Sequence, residues 1–267
     1  MQNQLNIKRY GSGSNKLVAI HGLGSASSAW DLVRPKLQEA TEFITLDLPG
    51  HGDASMRATL DMNPKFLAEL IKQELVKHGI DNFHLIGNSL GGWICLEMAA
   101  KFPETVRSVT AVAPAGLWLV PSKKRIPQLA VSRYIARATY LAAKPISKIK
   151  WMRKVGFQYV SPQWEKFTPE TCAKAAIAMG SASGYYTLWD AFLGDRFDSP
   201  INEKIPVTII FGDSDYTLPV ENCQERSLVP THSNWHVLPK SGHAPMWDQV
   251  EEVVNLTLQT CRYSSTS

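Results

Sequence analysis

Short apolar runs recur along the first and the last parts of the chain. The run at 207–211 is apolar and β-branched without alternation, which is typical of a strand buried on both faces of a parallel sheet. Similar runs predict further strands at 17–20, 43–46, 84–86 and 234–238. Longer runs at 92–100 and up to Leu258 favour helices. The pattern therefore predicts an α/β protein with a mostly parallel central sheet.

The middle of the chain lacks this pattern. Strand-like runs resume only at 207, so residues 117–202, which we call the cap segment, are predicted to be a helical insertion between two strands. The core then comes from residues 1–116 and 203–267. Tryptophan and tyrosine are frequent in the cap segment, and a hydrophobic ligand pocket accounts for them.

The composition fits one large α/β domain with an insertion. Of the 267 residues, 44% are hydrophobic, enough to fill a sizeable core. Residues 1–6 lack the charged head and apolar stretch of a secretory signal, and no apolar run approaches transmembrane length. The four cysteines, at 95, 172, 223 and 261, have no paired spacing and are expected to be reduced thiols. These features predict a cytoplasmic protein.

The sequence Gly87-Asn88-Ser89-Leu90-Gly91 lies between a predicted strand and a predicted helix. At such a turn the serine hydroxyl projects away from its own backbone. The first amides of the following helix then point toward the group that the hydroxyl attacks. The two glycines are needed because side chains there would clash with the neighbouring strand and helix. We call this turn, residues 87–91, the serine elbow. The arrangement predicts Ser89 as a nucleophile, and Asn88 as a residue of the elbow that could tune substrate choice.

A nucleophilic serine needs a base, and the base needs an acid that orients it. His243 follows the predicted strand 234–238 on a loop from which its ring can turn toward the serine. Asp213 and Asp215 both leave the end of the strand 207–211, so the spacing alone leaves two candidates for the acid.

Four motifs resemble those of the α/β-hydrolase family, of the small bacterial esterase and carbon–carbon hydrolase type. They are His21-Gly22-Leu23-Gly24, Asp47-Leu48-Pro49-Gly50-His51-Gly52, the serine elbow and Gly242-His243. The resemblance covers nearly the whole chain except its middle third. It implies the α/β-hydrolase fold, with helices on both faces of the sheet and a cap over the serine, and a reaction that requires no cofactor.

The same resemblance assigns the remaining roles at the site. The family's Gly-x-x-Asp-x-x-x-Pro pattern is met by Gly212, Asp215 and Pro219, which selects Asp215 over Asp213. The resemblance also implies an oxyanion hole. Its two donors are the backbone amides of Leu23 and Leu90, which stabilise the negative charge that develops during acyl transfer.

Other polar residues are expected to be structural. His21 and His51 belong to turn motifs, and Asp47 follows a strand as a turn residue. Asp248 begins a capping-box pattern that ends at Glu251 and predicts the start of a helix. The Gly-Ser-Gly-Ser segment 11–14 predicts a hairpin loop. No His or Cys cluster has metal-ligand spacing, so no metal is predicted.

Charge is distributed unevenly along the chain. Residues 105–164 contain eleven Lys or Arg and no Asp or Glu, whereas the rest of the molecule has a net charge of −7. A solvated helical face accounts for this. So does a surface that steers an anionic substrate or docks on an acidic carrier protein or an anionic lipid surface. No nucleic-acid-binding motif is present, so nucleic acid is not an expected partner.

The predicted function is hydrolysis of carboxylic esters or related acyl compounds through a Ser-His-Asp triad and an acyl-enzyme. The apolar cap indicates a hydrophobic acyl group of medium size. Carbon–carbon bond hydrolysis in aromatic degradation is an alternative, although those relatives commonly have Trp after the histidine where this chain has Ala244. A lactonase or perhydrolase uses the same triad, and a ligand-binding protein on the hydrolase fold is the non-enzymatic alternative.

Overall fold

Seven strands form one sheet, in the order β1-β3-β2-β4-β5-β6-β7, in this computed structural model, which describes residues 4–263. The strands are β1 (Asn6–Tyr10), β2 (Lys16–Ile20), β3 (Glu42–Asp47), β4 (Phe83–Asn88), β5 (Val106–Val112), β6 (Val207–Gly212) and β7 (Asn234–Leu238). All neighbours are parallel except β1 and β3. The five strands predicted from apolar runs are confirmed. Met1, Gln2 and Asn3, part of the stretch without a secretory signal, lie outside the described residues.

Eleven α-helices accompany the sheet within residues 4–263. They are α1 (Arg34–Ala40), α2 (Pro64–Lys77), α3 (Leu90–Lys101), α4 (Pro127–Thr139), α5 (Ala143–Ser147), α6 (Lys150–Phe157), α7 (Pro169–Ser181), α8 (Tyr185–Ala191), α9 (Val220–Cys223), α10 (Pro245–Asp248) and α11 (Val250–Tyr263). Short 3₁₀ turns occur at Ser27–Trp30, Tyr140–Ala142, Trp164–Lys166 and Arg226–Leu228.

Helices cover both faces of the sheet, as predicted. Side chains alternate between the two faces along a strand, so adjacent residues of β2 enter different core layers. Val18 packs in the layer formed with α2 and α3, whereas Leu17 packs in the layer formed with α1 and α11. The predicted α/β-hydrolase architecture is confirmed.

Helices α4 to α8 all lie between β5 and β6 in the chain. Within this helical segment α4, α5 and α6 each contact α7. Helix α8 packs differently, because Tyr185, Leu188 and Trp189 belong to the same buried cluster as residues of α2 and α3.

The prediction of a hairpin at 11–14 is wrong. Strand β1 pairs with β3, and β3 lies between β1 and β2, so the segment joins two strands that are not neighbours. Instead it packs on the end of α1: a Cβ added to Gly11, which has φ +71°, would lie 2.3 Å from the Gln38 carbonyl oxygen. A Gly-Ser pattern signals a turn and carries no information about which strand occupies the adjacent position.

Candidate active site

Ser89 lies at a strained turn between β4 and α3. Its φ of 54° and ψ of −118° are unusual for a residue with a side chain. The surroundings fix this conformation: the Ser89 amide donates to the Val112 carbonyl at 3.0 Å, and its carbonyl accepts from the amides of Trp93 at 3.1 Å and Ala115 at 3.0 Å. The turn presents a half-buried hydroxyl at the carboxyl end of the sheet.

The two glycines of the elbow are required by close backbone approaches. A Cβ on Gly91 would lie 2.1 Å from the Ile20 carbonyl oxygen, and a Cβ on Gly87 would lie 2.3 Å from the Gly91 carbonyl oxygen. Real Cβ atoms do not approach oxygen so closely, so any other residue would push α3 away from β2 and β4. The predicted reason for the glycines is confirmed.

His243 and Asp215 form a hydrogen-bonded pair. The ring Nδ1 of His243 lies 2.9 Å from Oδ2 of Asp215, whose side chain is fully buried. The other carboxylate oxygen, Oδ1, accepts from the amides of Thr217 at 2.9 Å and Leu218 at 2.8 Å. An ionised carboxylate only accepts, so the proton of neutral His243 is on Nδ1, and Nε2 is left free to take a proton.

Asp213 lies on the surface and makes other contacts. Its carboxylate accepts from the amides of Lys240 at 3.0 Å and Ser241 at 3.2 Å, and from the Ser214 hydroxyl. Desolvation raises the pKa of Asp213, but these donors outweigh it and the pKa lies below its usual value. Of the two carboxylates that follow β6, the structure therefore places Asp215 against His243 and Asp213 at the turn after β7.

Asn88 connects the elbow to the loop that carries His243. This loop, residues 239–244 between β7 and α10, is called the histidine loop below. Its Nδ2 donates to the carbonyls of Val112 and His243, both at 3.1 Å, and the side chain is buried. The residue next to Ser89 thus bonds the backbone of His243, so the elbow and the loop that carries His243 are neighbours. Asn88 therefore positions the histidine loop through Nδ2, and its influence on substrate choice stays a prediction.

The turn at 22–24 lies against Ser89. A Cβ on Gly22 would be 3.0 Å from Cβ of Ser89, so the Leu23 amide belongs to a segment in contact with the elbow. Leu90 is the first residue of α3, where an amide has no acceptor within its own helix. Within residues 4–263 neither of these two amides donates to a protein acceptor. Both are therefore available to an external oxygen.

Two buried, neutral histidines hold the 22–24 turn. His21 accepts from the Leu48 amide through Nε2 at 3.0 Å and donates from Nδ1 to the Gly22 carbonyl at 2.8 Å. His51 accepts from the Gly24 amide at 3.0 Å and donates to the Pro49 carbonyl at 3.0 Å. Burial lowers the pKa of both, that of His51 to about 3. Their predicted structural role is confirmed.

Asp248 does not cap α11, so the capping-box prediction is wrong. Its carboxylate accepts from the Gly242 amide at 2.8 Å and from the Ser161 hydroxyl, and burial raises the pKa of Asp248. Because Gly242 precedes His243, Asp248 secures the histidine loop. The sequence pattern alone could not separate a helix cap from an anchor for a distant loop.

The cap segment also holds the histidine loop. The His243 amide donates to the Val160 carbonyl at 2.9 Å, and Gln163 donates from Nε2 to the Lys240 carbonyl at 2.8 Å. Trp247, just beyond the loop, packs against Phe167 with ring centroids 5.6 Å apart. The backbone at His243 is therefore fixed by both the core and the cap segment.

Apolar cap side chains lie over the 22–24 turn. A Cβ on Gly24 would be 2.6 Å from Sδ of Met179 and 2.7 Å from Cε2 of Tyr185. Tyr185 is buried and packs edge-on against Trp189, with ring centroids 5.6 Å apart. An apolar group bound beside the turn would meet thioether and aromatic surface.

Glu97, on α3, is a buried acid that no sequence motif singled out. It accepts from the Trp93 indole at 2.9 Å and the Ser199 hydroxyl at 2.8 Å, and burial raises its pKa. It borders a cavity of about 300 Å³ whose lining includes none of the predicted catalytic residues. Glu97 therefore joins α3 to the end of the cap segment.

No group of three or more His, Cys, Asp or Glu side chains within 4–263 is arranged to hold a metal ion. None of the helices in the same range combines the length and apolarity needed to cross a membrane. All four cysteines are free thiols.

Comparison with known proteins places these observations in context. The sequence model of the alpha/beta hydrolase family matches residues 17–256. Lipase 3 of Moraxella sp. (strain TA144) is 25% identical over 251 residues, covering 90% of this chain and 75% of its own. A membrane phospholipase A has a similar structure, with a TM-score of 0.74 and 22% identity over 98% of this chain and 84% of its own. The meta-cleavage product hydrolase of Pseudomonas fluorescens IP01 has a TM-score of 0.71 and 17% identity, covering 97% and 94%.

Proposed function

The chain belongs to the alpha/beta hydrolase family, and from that premise we propose that it is a serine hydrolase of carboxylic esters. Ser89 is the nucleophile, His243 the general base and Asp215 the acid that orients the base. One observation carries the proposal: a buried carboxylate holds Nδ1 of His243, whose backbone is tied to the residue next to an elbow serine. The esterases and lipases among similar proteins support the same class of reaction.

The first half of the reaction forms an acyl-enzyme. Nε2 of His243 accepts the Ser89 proton as Oγ attacks the ester carbonyl carbon, and Asp215 stabilises the imidazolium that results. The carbonyl oxygen becomes an oxyanion, which the Leu23 and Leu90 amides stabilise. The tetrahedral intermediate then collapses, and the alcohol leaves with the proton from His243.

The second half releases the acid. Water enters where the alcohol left, His243 removes its proton, and the hydroxide attacks the acyl carbonyl carbon. Collapse of the second tetrahedral intermediate breaks the bond to Ser89 Oγ, which regains its proton from His243. The oxyanion forms at the same position in both halves, so one pair of amides serves both steps.

We propose that residues 117–202 act as a lid and supply the wall of the acyl site, on a core of residues 1–116 and 203–267. Met179 and Tyr185 lie over the 22–24 turn, so the acyl chain would contact apolar surface. This favours hydrophobic acyl groups of medium length. Four free thiols are consistent with a reducing compartment, so a cytoplasmic location is proposed as well.

Hydrolysis of p-nitrophenyl esters from acetate to dodecanoate tests the proposal. Ser89→Ala and Asp215→Asn are expected to lower kcat by about 10³-fold or more. Asp213→Asn is the matched control, because it makes the same chemical change at an exposed carboxylate, and it should keep most of the activity. The length of the acyl chain that is hydrolysed fastest indicates the length of the acyl site.

Three results would contradict the proposal. One is a wild-type protein that turns over no ester and is not labelled at Ser89 by a fluorophosphonate. Another is an Asp213→Asn variant that loses as much activity as Asp215→Asn. The third is turnover of a vinylogous 1,5-diketone in the absence of esterase activity, which would favour carbon–carbon hydrolysis.

A further inference from the structure

Helix α4 presents an apolar stripe to solvent and buries an arginine instead. Val131, Tyr134 and Ile135 are 58%, 74% and 55% exposed, at the i, i+3 and i+4 spacing of one helix face. Arg133, on another face, is 6% exposed and donates to the carbonyls of Gly180 at 3.1 Å and Ala182 at 2.7 Å. An amphipathic helix normally packs its apolar face on its neighbour. Here α7 receives the arginine, and the apolar stripe faces solvent.

The same arrangement continues along the next elements of the cap segment. Leu141, in the turn after α4, is 87% exposed. On α6, Trp151 and Val155 are each 63% exposed and lie one helical turn apart. What these exposed side chains share is their scaffold, since α4, the turn after it and α6 all pack on α7. We call them the outer cap surface: Val131, Tyr134, Ile135, Leu141, Trp151 and Val155.

Unpaired lysines accompany this surface. In the stretch 105–164 that has no acidic residue, Arg125 pairs with Asp190, and Lys150 pairs with Glu165 just beyond it. The other lysines of the stretch are exposed and form no ion pair with any residue in 4–263. These are Lys123, Lys124, Lys144, Lys148 and Lys154. The outer cap surface is therefore both apolar and positively charged.

We propose that the outer cap surface docks on an anionic lipid membrane. The type of cation favours lipid over an acidic protein, because protein interfaces are enriched in arginine and depleted in lysine. Within the cap segment the arginines are engaged with protein groups: Arg133 bonds two carbonyls, and Arg125 bonds Asp190 and stacks on Tyr186. The cations of that segment that form no ion pair or hydrogen bond within residues 4–263 are lysines.

Lysine next to Trp and Tyr suits the lipid headgroup region. The lysine stem can lie along apolar surface while its ammonium reaches phosphate, and Trp and Tyr rings favour the boundary between acyl chains and water. Trp151 and Tyr134 occupy such positions between exposed aliphatic side chains. Docking would be peripheral, with the outer cap surface at the headgroups and the sheet outside the bilayer.

The test is cosedimentation of the full chain with lipid vesicles. The vesicles contain phosphatidylcholine alone or mixed with phosphatidylglycerol, at low and high salt. The Ser89→Ala background prevents lipid hydrolysis, so the result does not depend on the proposed esterase function. We expect binding to the mixed vesicles, weaker binding at high salt, and little binding to phosphatidylcholine alone.

Three variants identify the surface. Lys144→Gln, Lys148→Gln and Lys154→Gln together should weaken binding about 100-fold, since each lysine near an anionic surface contributes about five-fold. Ile135→Ser with Trp151→Ser should also abolish most binding. The control, Leu60→Ser with Val76→Ser, removes apolar residues that are 67% and 45% exposed outside the cap segment. It should bind as the parent does.

The opposite results would overturn the proposal. These are equal binding to neutral and anionic vesicles, unchanged binding by the lysine variant, or no vesicle binding at all. Binding to polyglutamate without binding to vesicles would assign the surface to an acidic protein. Urea denaturation of each variant separates loss of docking from loss of folding, and exposed substitutions should leave the midpoint nearly unchanged.

Discussion

Replacing Asn88 by aspartate tests how the histidine loop is held. The substitution keeps the size of the side chain but exchanges its Nδ2 donor for an oxygen. In the native protein that donor serves the Val112 and His243 carbonyls, both at 3.1 Å, in a site that is 7% exposed. An ionised carboxylate cannot donate, so it would face two carbonyl oxygens at hydrogen-bond distance.

The size of the effect depends on which hydrogen bonds each carbonyl keeps after the substitution. Val112 still accepts from the Ser89 amide at 3.0 Å, whereas the His243 carbonyl has no other donor within residues 4–263. One orphaned buried acceptor costs about 1–3 kcal/mol, which is the expected loss for Asn88→Ala. Asn88→Asp adds charge repulsion and desolvation, so at neutral pH its loss should exceed that of Asn88→Ala by about 1 kcal/mol or more.

Lowering the pH should partly reverse this order of stability between Asn88→Asp and Asn88→Ala. Burial and the facing carbonyls raise the pKa of the introduced carboxyl in the folded state above its unfolded value of about 4. The folded state then binds more protons between these two pKa values, so the stability of Asn88→Asp rises as pH falls through the folded pKa. Once protonated, the carboxyl can donate one of the two lost bonds.

Urea denaturation near neutral pH and at about pH 5, with kcat/KM for an ester, measures these effects. Asn234→Asp, at an exposed strand position, is the matched control and should change neither quantity appreciably. The reasoning would be refuted if Asn88→Asp were as stable as wild type at neutral pH, or if Asn88→Ala were the less stable of the two variants.

Two further predictions concern the loops beside Ser89. His51 has a pKa of about 3 when folded against an ordinary 6.5, so the unfolded state binds more protons in between, and stability should fall as pH drops below about 6.5. His51→Gln should reduce that slope by up to about 1.4 kcal/mol per pH unit in urea titrations, and an unchanged slope would contradict this. Asp248→Ala should cost about 2 kcal/mol and about ten-fold in kcat/KM, because it leaves the Gly242 amide before His243 unpaired. Asp248→Asn, which keeps an acceptor, should lose less in the same assays, and equal losses would refute that role.

The sequence predicted the core strands well for a physical reason. Strands such as β6 are buried on both faces, so nearly every position must be apolar or β-branched, and the run is visible without an alignment. The elbow was equally visible, because the approaches at Gly87 and Gly91 leave no room for a side chain.

What the sequence left open depends on contacts between distant segments. No local pattern indicates that β3 lies between β1 and β2, or that Asp248 bonds Ser161 instead of a helix end. The spacing left Asp213 and Asp215 as alternatives and the family pattern selected Asp215, whereas the contact of its carboxylate with His243 depends on the path of the chain after β6. Helix α4 shows the limit most clearly, because Val131, Tyr134 and Ile135 have the spacing of a buried helix face and are nevertheless exposed.

The double attachment of the histidine loop has a consequence for exchanging parts between relatives. Val160 and Gln163 bond the loop from the cap segment, while Asn88 and Asp248 bond it from the core. A chimaera that imports a foreign cap across the whole of 117–202 would replace two of the residues that bond the loop of His243, the proposed general base. A graft that exchanges the cap segment but keeps 157–163 native would leave these bonds in place and still replace Met179 and Tyr185, the proposed wall of the acyl site. The acyl site could then be exchanged without rebuilding the proposed catalytic centre.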